Sequence, residues 1–213
     1  TLQAICLIAY LRSRKSRPVC VVVPASLIAN WQRELRTWAP FLKVLTYHGS
    51  GRSLDFMRGT YNASNKMQCN TSRSGHLDIV LTTYGVVRSD VDLFEKTIGF
   101  EAVILDETQA IKNYGAKISI AVKRMADLVQ CNVRVALSGT PVENRLEELH
   151  SIYEFTMPSY FESRESFKKN FSRPLTKGTS TKASAVTETA VAQSARAQQR
   201  LLALTSPFQL RRV

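Results

Sequence analysis

Long apolar runs are absent from this chain. None approaches the roughly 20 residues needed to span a bilayer, and the first residues are neither a charged-then-apolar signal nor an initiator methionine. The chain is therefore expected to be soluble and non-secreted, and it reads as an excerpt that opens on Thr1 and closes on Val213. Close cysteine pairs are also missing. Cys6, Cys20, Cys69 and Cys131 lie too far apart for a zinc site or redox motif, which leaves free thiols in a reducing compartment. The sequons at Asn62 and Asn70 then carry no meaning. Histidine is scarce, and His48, His76 and His150 stand without the spacing of a metal site, so no chemistry is assigned to them. Acids are few as well: 17 Asp and Glu face 29 Lys and Arg, for a formal net charge of +12. That excess attracts polyanions and contributes to salt-sensitive nucleic-acid binding, although solvated basic faces are common.

What is present suffices for a core. A length of 213 residues with 44% hydrophobic content predicts one compact domain. Val19 to Val23, Ile79 to Leu81 and Val103 to Leu105 are short, apolar and rich in β-branched residues on successive positions, and Val133 to Leu137 is read as a further such strand despite Arg134. Such runs mark strands covered on both faces of a parallel sheet. Helical patterns lie between them. Leu27, Trp31, Leu35 and Trp38 share one face, as do Ile118, Val122, Met125 and Val129, and later Leu146, Leu149 and Tyr153. The alternation predicts a doubly wound α/β domain with helices on both faces of a mainly parallel sheet. Residues 59–75 and 176–189 are poor in large apolar residues and read as surface insertions, the second as disordered. A helix is expected over Ala192 to Leu204, ended by Pro207. Trp31 and Trp38 are assigned to core packing by their spacing.

The run VILDETQAIKN, Val103 to Asn113, ends a buried strand on two adjacent acids. Ligands bind at the carboxyl ends of strands in open α/β sheets. Asp106 there can hold Mg²⁺ through its water shell, and Glu107 can orient or deprotonate a water that attacks a γ-phosphate. The same pair also suits a plain helix start, with Asp106 as N-cap and Glu107 in the first turn. A second strand, in VALSGTPVENRLEEL, runs into Ser138, Gly139, Thr140 and Pro141. Small residues at that strand end let backbone approach a site closely, and a turn with a helix cap is the alternative.

In order along the chain, VVVPASLIANW, DIVLTTY, VILDETQAIKN, ALSGTPVENRLEELHSIYEF and PFQLRR resemble motifs Ia, Ib, II and III and the end of the first motor lobe of the Swi/Snf family. These are helicase-like, DNA-dependent ATPases of superfamily two. The resemblance runs from Thr1 to Val213 apart from the two insertions, and Thr108 departs from the alanine usual in motif II. It implies a RecA-like lobe of the P-loop NTPase type, a three-layer sandwich incomplete at its N-terminus, with a second lobe absent. Under it, Asp106 and Thr1 would bind Mg²⁺ with ATP, Glu107 would activate the attacking water, and Gln109 would link the nucleotide site to the coupling motif Ser138, Gly139 and Thr140. Ser26, Asn30, Thr82, Thr83, Lys112 and Asn113 would face a DNA strand, through donors on strand-end loops and helix starts. Each of these has a plainer structural role open to it, and Arg211 with Arg212 would begin the crossing to the second lobe.

The phosphate-loop glycines and lysine are not in the sequence, so the excerpt alone is expected not to hydrolyse ATP. The leading reading is an ATP- and DNA-binding lobe of a double-stranded DNA translocase of the chromatin-remodelling type. Its partners would be duplex DNA, nucleosomes or other DNA-bound complexes, and the second lobe. The resemblance implies a nuclear protein if the source is eukaryotic and a cytoplasmic one if prokaryotic. A strand-separating DNA or RNA helicase and a non-hydrolysing docking module remain as alternatives.

Overall fold

The computed structural model describes residues 1–14, 17–50, 77–95, 99–129, 131–139, 146–179 and 188–210. Five strands, β1 (Val19–Val23), β2 (Val44–Tyr47), β3 (Ile79–Thr83), β4 (Ala102–Leu105) and β5 (Val133–Ala136), form one sheet in the order β2-β3-β1-β4-β5. Every pairing is parallel. In β1, β3 and β4 each residue is buried, which is why those strands read as unbroken apolar runs.

The two sheet faces carry separate cores. Val19, Val21, Ile79, Leu81 and Ile104 pack with Ile5 and Ile8 of α1 (Leu2–Arg14) and Trp31 and Leu35 of α2 (Ile28–Trp38). Cys20, Val22, Val80, Val103 and Leu105 pack with Val87 and Phe94 of α3 (Tyr84–Glu95) and Val122 and Met125 of α4 (Lys117–Leu128). The expected doubly wound α/β architecture is therefore the observed one. Beyond β5, α5 (Leu146–Thr156), α6 (Arg164–Phe167), α7 (Arg173–Thr179) and α8 (Glu188–Thr205) build a third cluster from Leu149, Tyr153, Phe161, Phe167, Phe171 and Leu201. Aromatic rings dominate it, with Phe161 and Phe167 centroids 5.1 Å apart. His150 packs 5.0 Å from Phe167, and burial lowers its pKa.

At the amino ends of the strands Asp78 acts as a clasp. Its Oδ1 accepts from Arg12 Nε at 2.8 Å and its Oδ2 from the Lys43 amide at 2.8 Å, which joins α1 to the β2–β3 edge.

Two expectations need correction, and one strand was not foreseen. Trp38 is 56% exposed rather than core, because α2 ends there and Ala39 and Leu42 close the apolar face instead. Strand β2 lacks the all-apolar signature since it is a half-exposed edge. Helix α7 runs into the 176–189 tract as far as Thr179, with Leu175 packed on the third cluster, and α8 begins at Glu188 rather than Ala192. Residues 59–75 lie outside the described residues. Among the described residues no helix is long and apolar enough to cross a membrane.

Candidate functional site

The carboxyl end of β4 is tied to its neighbours on both sides. The Asp106 amide donates to the Val22 carbonyl at 2.9 Å, carrying the ladder with β1 one residue past the strand. Glu107 then adopts φ 52, a left-handed conformation that costs a non-glycine residue about 1–2 kcal/mol. That reversal throws the chain into a 3-10 turn, Thr108–Ile111. No side chain caps this turn, so the simple helix-cap role for Asp106 is not what the structure uses.

The Asp106 side chain is held on both oxygens. Oδ1 accepts from the Glu107 amide at 3.0 Å, and Oδ2 accepts from Trp31 Nε1 at 2.7 Å. The Tyr84 hydroxyl donates to the Asp106 carbonyl at 2.7 Å. Burial, and after it the negative charges of Asp106 and Glu107, push the Tyr84 phenol well above its ordinary pKa, so it stays a neutral donor.

The strand after β4 closes on the same place. The Leu137 amide donates to the Leu105 carbonyl at 2.8 Å, and the Leu137 carbonyl accepts from the Thr108 amide at 3.0 Å. Gly139 follows, beside the Glu107 carboxylate. The Ile111 carbonyl accepts from Ser151 of α5 at 2.6 Å and from Ser119 of α4 at 3.1 Å, so the turn behind the acids is pinned from two helices. Asp106, Glu107 and Gly139 thus come together, as the spacing of their motifs requires.

Other candidates fall around this centre. Gln109 is exposed on the 3-10 turn, and Ser138 is exposed next to Gly139, while Thr140 lies outside the described residues. Thr1 is exposed ahead of α1, where its carbonyl accepts from the Ile5 amide at 3.0 Å. Ser26 is exposed in a 3-10 turn, Ala25–Leu27, and does not cap α2. Asn30 is half-buried, with Oδ1 accepting from Arg33 at 2.6 Å. Lys112 and Asn113 are exposed, the lysine 3.9 Å from Glu148. Thr82 and Thr83 are buried instead. The Thr82 hydroxyl donates to the Tyr47 carbonyl at 2.9 Å, and Thr83 Oγ1 accepts the Val86 amide at 3.3 Å, so both serve the strand end and the start of α3. Arg211 and Arg212 lie outside the described residues. No group of three or more His, Cys, Asp and Glu that could hold a metal occurs among the described residues.

Trp31 and Tyr84 are the site residues that sequence reasoning missed. Spacing marked Trp31 as apolar, and nothing local shows that its indole edge meets an acid 75 residues away.

A parallel sheet wound on both faces, with adjacent acids ending a central strand and Gly139, just past the next strand, beside the second of them, has the layout of a RecA-like lobe. The chain belongs to the SNF2-related domain family, whose description matches residues 1–213. It is 35% identical over 177 residues to the chromatin-remodeling ATPase INO80 of Mycosarcoma maydis, covering 82% of this chain and 9% of that protein. It is 31% identical over 226 residues to the TATA-binding protein-associated factor MOT1 of Saccharomyces cerevisiae, covering 100% of this chain and 11% of that one. Among solved structures, the Sulfolobus solfataricus SWI2/SNF2 ATPase core in complex with dsDNA superimposes with a TM-score of 0.73 at 31% identity, covering 99% of this chain and 37% of that one. The chain spans about a tenth of the length of these curated relatives.

Proposed function

We propose that this chain is the ATP- and DNA-binding first lobe of a motor that couples ATP hydrolysis to movement along double-stranded DNA. The observation that carries the reading is the fixed pair Asp106 and Glu107 at the end of a central parallel strand, with Gly139 of the following strand's turn against the second acid. The family and its relatives, a chromatin-remodeling ATPase among them, support it.

Mg²⁺ demands hard oxygen ligands and keeps several waters, so a site with one or two oxygen-bearing side chains suffices. Asp106 fits, since each carboxylate oxygen accepts one hydrogen bond and has a second lone pair to offer. Thr1 would add a hydroxyl. Held by these oxygens, Mg²⁺ would supply positive charge to offset that of the phosphates. Glu107, turned by its left-handed backbone away from the strand, holds and orients the attacking water as general base. Gln109 and the coupling motif Ser138, Gly139 and Thr140 couple that site to the rest of the lobe. For DNA, Ser26, Lys112 and Asn113 are exposed donors and Asn30 lies near Ser26 in α2, whereas Thr82 and Thr83 contribute through placement of the backbone. The second lobe, duplex DNA and DNA-bound complexes such as nucleosomes are the proposed partners. A eukaryotic source would place the protein in the nucleus, a prokaryotic one in the cytoplasm.

The decisive test uses the complete protein. Glu107→Gln is expected to keep ATP binding and lose steady-state turnover, and wild-type turnover is expected to rise with duplex DNA at fixed salt. Undiminished hydrolysis by the variant overturns the site assignment. Stimulation by RNA alone replaces the translocase with a helicase.

A further inference from the structure

We propose that Trp31 is a positioning residue for Asp106, through which a strand bound at the turn before α2 controls the nucleotide site. The inference rests on the function proposed above and names how its two halves communicate.

Trp31 follows Asn30 directly and lies in the first turn of α2, five residues beyond Ser26, so the helix that offers DNA-facing candidates also carries the indole. Its ring has no exposed surface. A buried indole N–H requires an acceptor, and here it takes a carboxylate oxygen at 2.7 Å, a charge-assisted bond about twice as strong as a neutral one. Trp38, on the same helix, shows the contrast. Its Nε1 reaches Glu34 at 3.0 Å one helical turn away, on the surface, and links nothing beyond α2.

The Trp31 bond does something the Glu107 amide cannot do alone. One donor leaves a carboxylate free to rotate about χ2, whereas donors on both oxygens fix its plane. A metal-binding carboxylate held in this way presents its remaining lone pairs in one direction, and outer-shell partners of that kind change metal affinity or activity by about 10–100-fold when removed. The other DNA-facing segment ends on the same residue, because Tyr84, next to Thr83, holds the Asp106 carbonyl at 2.7 Å. Two segments therefore converge on Asp106, Trp31 on its side chain and Tyr84 on its backbone. Any shift of α2 on binding a strand is transmitted to the carboxylate by a rigid, fully packed ring.

The test is Trp31→Phe in the complete protein, with Trp38→Phe as control, Mg²⁺-dependent binding of a non-hydrolysable ATP analogue measured by calorimetry and turnover measured against Mg²⁺ with and without duplex DNA. The expected result is an increase of about tenfold in the Mg²⁺ needed for half-maximal analogue binding and for half-maximal turnover, with kcat at saturating Mg²⁺ falling far less and the stimulation by DNA reduced. Trp38→Phe should follow wild type. A folded Trp31→Phe protein with wild-type Mg²⁺ and DNA responses overturns the inference, and so does a fall in kcat without any change in Mg²⁺ dependence, which would mean a structural role only. If Trp31→Phe does not fold, 3-benzothienylalanine at position 31 replaces the N–H by sulfur at equal ring size and is read in the same way. Glu107→Gln measured alongside separates the two failures: full turnover there sinks the proposed function, while its loss together with a silent position 31 sinks only this inference.

Discussion

Gly139 stands against the Glu107 carboxylate: a β-carbon built on it would lie 3.8 Å from Oε1 and 4.0 Å from Oε2. Those are ordinary contact distances, so alanine fits without strain but covers part of the acid proposed to hold the attacking water. Gly139→Ala is expected to keep the melting temperature within about 2 °C of wild type and to lower ATP turnover of the complete protein several-fold. Gly139→Val should lower it further. Thermal denaturation and steady-state turnover check both, and a valine variant with full turnover would dissociate Gly139 from the chemistry.

Thr108 is fully buried, and its hydroxyl has no hydrogen-bond partner. Such a group carries its desolvation penalty uncompensated, whereas valine has nearly the same shape and no hydroxyl. Thr108→Val should stabilise the fold by about 1 kcal/mol, seen as a higher urea midpoint at unchanged slope. A lower midpoint would mean that the hydroxyl is satisfied in solution.

Two ion pairs of similar length should differ sharply in worth. Arg12 and Asp78 are 2.7 Å apart with side chains 9% and 15% exposed, and Asp78 also accepts the Lys43 amide. Arg124 and Asp92 are 2.6 Å apart but 49% and 67% exposed. Asp78→Ala should cost about 3 kcal/mol, since it strands a largely buried guanidinium and an amide, while Asp92→Ala should cost about 0.5 kcal/mol or less. Equal losses in urea denaturation would contradict this ranking.

Lys123 places its Nζ 3.9 Å from the centre of the Tyr114 ring without a hydrogen-bond partner. Burial pulls its pKa from 10.5 down to about 8, aided by Arg164 and opposed by Glu154 and Asp127. The folded protein therefore binds this proton less tightly than the unfolded chain does, and the folded state is penalised below pH 8. The penalty fades as pH rises from 8 to 10.5. Lys123→Met should accordingly be more stable than wild type at neutral pH, with the gap narrowing toward pH 10, as read from urea midpoints at both pH values. A gap independent of pH would rule out this titration as its cause.

The central strands were legible because each of their residues is buried, so β1, β3 and β4 announce themselves as β-branched runs, and the acids announce themselves by ending one. β2 was not, since an edge strand with one wetted face leaves only Val44, Leu45, Thr46 and Tyr47, which no local rule separates from a loop. Spacing put Trp31 and Trp38 on one face, yet α2 stops at Trp38, and the wall of the core passes to Ala39 and Leu42. Motif order brought Glu107 and Gly139 together before any coordinates did. It could not show that Thr82 and Thr83 turn their hydroxyls inward, because that depends on where the Tyr47 carbonyl and the Val86 amide happen to lie.

Leu137 is bonded through its amide to Leu105 and through its carbonyl to Thr108, so it straddles the point at which β4 gives way to the acids. With both backbone groups of Leu137 engaged, β5 cannot slide past β4 without breaking two hydrogen bonds at once. The pivot for any swing of the chain beyond the sheet therefore falls no earlier than Ser138 and Gly139, and Gly139 is the residue that rests on Glu107. A rotation of the backbone at Gly139 would therefore also change how much of the Glu107 carboxylate water can reach.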